Sequence, residues 1–254
     1  MSEAIGTLHL SKITLAVRSE GAQSLTASNL HRVREPVSRS KAGVQGKVAD
    51  SLRGRSRHAE SQNELLAFRV LIAAGHPDAW QEQPFRLEYR HEGQVHRYTP
   101  DILVCWGARQ EVVEIKTDSD VELPDNKARF ALVSELLAEH GFHFRVWRQS
   151  EICAEPRLAN AGLILRYRLV AVAPAMREGI RRIFSAAPQV PLGAFAERPM
   201  MIQSVLRLVL DGTLHIDWWQ PLRLESKIST SPIGRREWPA SHVSMEVPTC
   251  FCTH

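Results

Sequence analysis

Tyr98-Thr-Pro-Asp-Ile-Leu-Val-Cys-Trp106, a polar turn over Gly107 to Gln110, and Glu111-Val-Val-Glu-Ile-Lys116 form the stretch on which the fold turns. Both arms are rich in β-branched and aromatic residues and the turn between them holds a glycine, so the stretch predicts a β-hairpin. If Trp106 faces Glu111 across the turn, Asp101 faces Lys116 and Leu103 faces Glu114. Side chains alternate faces along a strand. That sets Asp101, Leu103, Glu114 and Lys116 on one side and Ile102, Val104, Val113 and Ile115 on the other. The pattern predicts an apolar face and a charged face, with Asp101 and Glu114 as diagonal neighbours within reach of one shared ion.

The flanking segments build a sheet around this hairpin. Upstream, Leu65, Leu66, Phe68, Val70, Leu71 and Ile72 fit a buried helix stopped by Gly75 and Pro77. Phe85-Arg-Leu-Glu-Tyr89 alternates as a half-buried strand does and turns at His91-Glu-Gly-Gln94. Downstream, Pro124 opens a helix carrying Phe130, Val133, Leu136 and Leu137, Gly141 closes it, and Phe142 to Trp147 read as a strand. Strand, hairpin, helix, strand is a mixed α/β order, the helix carrying the chain back across the sheet. Residues 150–226 carry helical patches around Leu158 to Tyr167, Ala175 to Phe184 and Pro199 to Leu210. A hairpin pairing Leu214 to Trp218 with Leu222 to Leu224 follows, the order of a winged-helix module. Residues 227–254 read as a loose tail, in which Cys250, Cys252 and His254 offer three metal-capable side chains without the spacing of a zinc site.

Composition narrows the function classes. The chain has 254 residues, with 32 Lys plus Arg against 28 Asp plus Glu, and 44% hydrophobic positions, the profile of one large folded domain or two small ones. No apolar stretch approaches the roughly 18 residues of a spanning helix. Glu3, His9 and Lys12 interrupt what would be the core of a secretory signal. Four cysteines are too few for a disulfide framework, so a reducing, cytoplasmic compartment is expected. Residues 1–58 hold ten Lys or Arg against four Asp or Glu. Residues 1–57 are therefore expected to be a basic flexible arm, either touching phosphates or simply solvated.

Two carboxylates converging near a lysine suit metal-assisted phosphodiester hydrolysis. Carboxylate oxygens match Mg²⁺, which keeps several waters and takes few protein ligands, and an ammonium can position the nucleophile or add charge stabilisation. The competing reading is a surface hairpin with a cross-strand Asp–Lys pair of little energetic worth.

The arrangement of Pro100-Asp101 followed by Glu114-Ile-Lys116 resembles the PD-(D/E)xK nucleases of the restriction-endonuclease-like superfamily. Four longer strings are similar to the TnsA family, the endonuclease subunit of heteromeric transposases: Ser61-Gln-Asn-Glu64, Gln81-Glu-Gln-Pro-Phe85, Arg97-Tyr-Thr-Pro-Asp-Ile-Leu-Val104 and Glu111-Val-Val-Glu-Ile-Lys-Thr117. The resemblance covers about residues 55–150, and 150–226 in outline. It implies a restriction-endonuclease-like mixed-sheet α/β core over residues 58–149 as a nuclease domain, with a C-terminal helical or winged-helix domain over 150–226. It makes Asp101, Glu114 and Glu64 the metal ligands and Lys116 the catalytic lysine, with Mg²⁺ as cofactor and Mn²⁺ as substitute. It also implies cutting of the 5′, non-transferred DNA strands at transposon ends, beside a DDE-type transposase that handles the 3′ strands and an AAA+ ATPase regulator docking on the C-terminal half. A stand-alone restriction or repair nuclease, and a non-catalytic DNA-binding assembly module, are the alternatives.

Glu64 has a second reading, because Ser61-x-x-Glu64 is also a capping box; Glu60 is the substitute acid. His96, Arg97 and Tyr98 are placed either to touch phosphate or to face solvent. Asp118 and Asp120 are read as a second ion site or a polar loop. Trp80, Trp147, Trp218 and Trp219 suit core positions better than base stacking.

Overall fold

The computed structural model describes residues 9–17, 30–31, 46–50, 52 and 54–234. In chain order its strands are β1 (His9–Val17), β2 (Leu30–His31), β3 (Gly46–Asp50), β4 (Arg55–Ala59), β5 (Ala79–Glu82), β6 (Phe85–His91), β7 (Gln94–Tyr98), β8 (Ile102–Trp106), β9 (Arg109–Lys116), β10 (His143–Arg148), β11 (Gln189–Pro191) and β12 (Lys227–Ser229). Its helices are α1 (Gln62–Val70), α2 (Asp118–Glu122), α3 (Pro124–Ala138), α4 (Gln149–Ile152), α5 (Arg157–Ile164), α6 (Pro174–Ala186) and α7 (Pro199–Leu210). The chain divides into two compact units, one containing residues 77–149 and the other residues 43–76 with 150–239.

The first unit is built on a mixed sheet of order β10-β9-β8-β5, in which β5, β8 and β9 run antiparallel and β9 and β10 run parallel. A parallel pair needs a crossover, and α2 and α3 supply it. Pro124 starts α3, where its missing N–H would have had no partner anyway, and Phe130, Val133, Leu136 and Leu137 form the buried stripe. The chain leaves α3 through Gly141, whose φ of +79° is left-handed, while Phe142 N–H donates to Leu137 O at 3.0 Å. A second sheet, ordered β2-β1-β6-β7, contributes Phe85, Leu87, Tyr89 and Tyr98 to one apolar cluster with Leu103, Cys105, Val112, Val133, Leu136, Leu137 and Phe142. This mixed α/β architecture is consistent with a restriction-endonuclease-like core.

The second unit is mainly helical. Ser61 caps α1, whose last turns continue as a π-helical segment over Leu71–Gly75, and Ala67, Phe68, Val70, Leu71 and Ile72 are buried. β3 and β4 form an antiparallel hairpin that encloses an ion pair between Arg57 and Asp50 at 3.3 Å, both fully buried. Helices α5, α6 and α7 follow, and β11 pairs with β12.

Five sequence expectations change. The β8–β9 register is Ile102↔Val113 through Trp106↔Arg109, two residues from the one expected, because the turn consists of Gly107 and Ala108 alone. The expected hairpin of residues 214–218 with 222–224 does not form. Asn160 takes that segment's backbone groups instead, donating to Trp218 O and Gln220 O and accepting from Leu222 N–H at 3.0 Å, while His215 bridges to Ser229. Lys227–Ser229, read as the start of the loose tail, is a strand. Within the segment expected as a flexible arm, β1 pairs with β6 from His9↔Arg90 to Leu15↔Phe85, and β3 pairs with β4. Ile13, Leu15 and Val17 alternate with strand period, a signal hidden beneath the basic charge count. The remaining residues of the arm, and Cys250, Cys252 and His254, lie outside the described residues. The division into units also groups α1 with residues 150–239, where the sequence boundary placed it with residues 58–149. Among the described residues no helix is long and apolar enough to cross a membrane.

Candidate active site

Asp101 directly precedes β8, and continuing the observed register by one pair sets it opposite Glu114 of β9. A two-residue shift preserves side-chain parity, so Asp101, Glu114 and Lys116 still share a face, now with the two acids directly cross-strand. That face is not the exposed charged surface expected. Leu103, Cys105 and Val112 on it belong to the apolar cluster, and the acids lie at the end of this greasy surface. The opposite face is buried too, with Ile102, Val104, Val113 and Ile115 each at most 5% exposed.

Glu114 is 4% exposed, so its charge requires close partners. Tyr98 supplies one, its hydroxyl donating to Oε2 at 2.6 Å, and Lys116 supplies the other, with Nζ 2.8 Å from Oε1. Asp101 is fixed from the backbone: Ile115 N–H donates to its Oδ2 at 2.7 Å. The strand before it is tied in as well, since Gln83 N–H donates to Asp101 O at 2.8 Å from a left-handed conformation of φ +43°. Gln81, Glu82 and Gln83 are all buried there, and Gln81 Nε2 donates to Glu82 O at 2.7 Å.

The electrostatics keep Lys116 a cation. Burial pulls its pKa down, but the carboxylates of Glu114 and Asp101 outweigh that pull, and the pKa stands above the ordinary lysine value. Tyr98 is pushed well above the ordinary phenol value, by burial first and then by the neighbouring Glu114 charge, so it remains a neutral donor. Arg129 of α3 opposes these shifts at both groups, which places its positive charge close to the site. Its Nη2 donates to Asn126 Oδ1 at 3.1 Å, while its buried Nε has no hydrogen-bond partner among the described residues.

Sequence reasoning left Tyr98 between phosphate contact and solvent, and gave no part to Arg129. Tyr98 pairs in register with the apolar Leu87, a signal that its side chain turns inward. Arg129 looked like any basic residue on a helix surface. His96 and Arg97 do not join the acids: His96 stacks on Tyr89 with centroids 5.4 Å apart, and Arg97 pairs with Glu88 at 3.1 Å. Asp118 and Asp120 occupy the first turn of α2, where Thr117 Oγ1 accepts from Asp120 N–H at 3.1 Å. Trp80 and Trp147 are core residues, and Trp219 lies under the Arg157 guanidinium, 5.0 Å from its ring centroid.

Glu64 lies in the second unit and caps α1 there, in a capping-box arrangement whose backward bond goes to Glu60 N–H instead of to the N-cap Ser61 N–H. Its Oε2 accepts from Glu60 N–H at 2.9 Å, its Oε1 accepts from Ser61 Oγ at 3.0 Å, and its own N–H donates to Ser61 Oγ at 3.1 Å.

Among the described residues no group of three or more His, Cys, Asp or Glu is assembled to hold a metal ion. The pair formed by Asp101 and Glu114 nonetheless fits one kind of ion. Mg²⁺ binds through one or two carboxylates and retains water for its other positions, so two acidic oxygen donors facing each other meet its needs in type and number.

Residues 78–149, the span from just before β5 to just after β10, match the family model described as the TnsA-like endonuclease N-terminal domain. The match includes Asp101, Glu114 and Lys116 and stops short of Glu64. No curated protein matches the chain in sequence.

Proposed function

We propose that this chain, whose residues 78–149 match the TnsA-like endonuclease N-terminal family, hydrolyses DNA phosphodiester bonds with a divalent metal ion held by Asp101 and Glu114. The observation that carries the reading is the cross-strand placement of these two acids with the Lys116 ammonium 2.8 Å from Glu114. When bound, Mg²⁺, or Mn²⁺ in its place, supplies Lewis-acid stabilisation for the charge that grows on the scissile phosphate.

The chain's own residues do the rest. Ile115 N–H orients the Asp101 carboxylate and Tyr98 orients that of Glu114, so both acids are held in place before a cation arrives. Lys116, its Nζ 2.8 Å from Glu114 Oε1, acts as a cation that attracts the phosphate and orients the attacking water. The apolar cluster behind the acids limits access of bulk water on that side and strengthens these interactions.

In the wider reaction, the chain is the subunit that cuts the 5′, non-transferred strands at transposon ends. A DDE-type transposase cuts and joins the other strands, and an AAA+ ATPase regulator docks on the C-terminal half. Glu64 is left out of this assignment as a cap within its own unit. The test is Mn²⁺ binding by calorimetry together with nicking of duplex DNA. The intact chain should bind the ion and nick, Asp101→Asn and Glu114→Gln should lose both, and Lys116→Met should bind without nicking. Undiminished binding in both acid variants would overturn the proposal.

A further inference from the structure

The second unit contains a hollow of about 450 Å³ on which four cationic side chains converge: Lys47 from β3, Arg69 from α1, and Arg166 and Arg168 from the turn after α5. None of its lining residues is acidic. Arg168 donates to Leu165 O at 3.2 Å, and among the described residues none of the four makes an ion pair. Elsewhere in the same unit arginines are neutralised: Arg57 by Asp50, Arg181 and Arg182 by Glu178, and Arg207 by Asp211. Like charges gathered around a concavity without counter-charges repel one another, and a polyanion relieves that repulsion.

We infer that this hollow is a second DNA contact, a seat for the phosphate backbone of duplex DNA outside the catalytic unit. Charge distribution favours that occupant. The unit that carries the acids of the candidate site, residues 1–42, 77–149 and 240–254, holds fifteen Lys or Arg against seventeen Asp or Glu, a net of −2. Residues 43–76 and 150–239 hold seventeen against eleven, a net of +6. The unit proposed to cut DNA therefore offers it no net attraction at long range, and the other unit attracts it. Three of the four cations are arginines, whose planar forks match phosphate oxygens two at a time. The choice of DNA as ligand rests on the nuclease reading; the existence of a polyanion seat does not.

Gly162 provides a clean probe. It lines the hollow within α5, and a Cβ built on it meets no atom within 4 Å. Both Glu and Gln fit there and both favour a helix over Gly, so the pair Gly162→Glu and Gly162→Gln differ only in the charge delivered to the hollow. The full chain is titrated against a fluorescent duplex of about two helical turns, without divalent metal, over a range of salt. Gly162→Glu is expected to weaken binding on the order of tenfold relative to Gly162→Gln, and Lys47→Ala with Arg166→Ala to lower the slope of log affinity against log salt by about 0.9 for each cation removed. Equal affinities for the Gly162 variants with an unchanged slope would overturn the assignment. Loss of binding to a polyglutamate peptide alone, with duplex binding intact, would overturn it in favour of an acidic protein partner. Because no metal is present, failure here is separable from failure of the cleavage reading, which the Asp101 and Glu114 variants test.

Discussion

Two tyrosines in the same apolar cluster give the sharpest test of how the site is held. Tyr98 and Tyr89 are both buried, but the Tyr98 hydroxyl donates to Glu114 at 2.6 Å, whereas Tyr89 makes no side-chain hydrogen bond among the described residues. Removing a donor to a charged, buried acceptor costs about 1.5–3 kcal/mol. Lys116 continues to pair with Glu114, so the carboxylate is not left bare, and the lower half of that range applies: Tyr98→Phe should lose about 2 kcal/mol. For a chain of this size that corresponds to a Tm lower by about 5 °C. Tyr89→Phe, with no such bond to lose, should stay within about 0.5 kcal/mol of the parent. Urea denaturation followed by tryptophan fluorescence in metal-free buffer measures both. The alkaline limb adds a sign. With its folded pKa raised, Tyr98 contributes stability that is complete below pH about 10 and is lost above it as the unfolded chain ionises, so Tyr98→Phe should flatten that loss. Equal costs for the two tyrosines would refute the claim that Tyr98 holds the Glu114 carboxylate.

Further outcomes follow from the same geometry. Asp101→Ala removes the acceptor of Ile115 N–H and should cost about 1–3 kcal/mol, whereas Asp101→Asn keeps an oxygen there and should cost under half as much; thermal melts compare them. Glu64→Gln retains the capping box and should leave stability within about 0.5 kcal/mol, while Glu64→Ala should lose about 1 kcal/mol. Nicking by the stable Gln variant then separates a cap from a direct part in chemistry. The Glu178 carboxyl, held at about 2 by hydrogen bonds from Arg181 and Arg182, should stay ionised in an NMR titration down through pH 4. Its contribution is present above the ordinary glutamate range and disappears as pH falls through about 2, so a midpoint near the ordinary value would remove the two arginine contacts from the account.

The sequence made much of this architecture legible because strong periodicities and breakers coincide. Pro124, the Phe130 to Leu137 stripe and Gly141 delimit α3 almost to the residue, and the alternation of Phe85 to Tyr89 marks β6. Pairing parity survived an error in register: the turn proved two residues long instead of four, yet Asp101 and Glu114 stayed on one face because the error was even. Burial was the less legible quantity. Glu114 looked like an exposed acid on a polar face, and nothing local announces that α3 and β6 cover the neighbouring Leu103 and Val112. The absent wing has a similar cause. Leu214 to Leu224 carries strand-like alternation, but Asn160, some sixty residues earlier, captures its backbone groups, and such a competition is decided by tertiary structure alone.

The central claim is that Asp101, Glu114 and Lys116 form a metal-dependent site for cutting one DNA strand. Strand-specific end mapping on a donor DNA, with the chain and its proposed transposase and ATPase partners present and Mg²⁺ supplied, addresses it directly. The account predicts breaks on the 5′ strands with the intact chain. It predicts their loss with Asp101→Asn, Glu114→Gln and Lys116→Met, while breaks on the 3′ strands, made by another subunit, continue in every case. Undiminished 5′ cutting by Asp101→Asn would contradict the account.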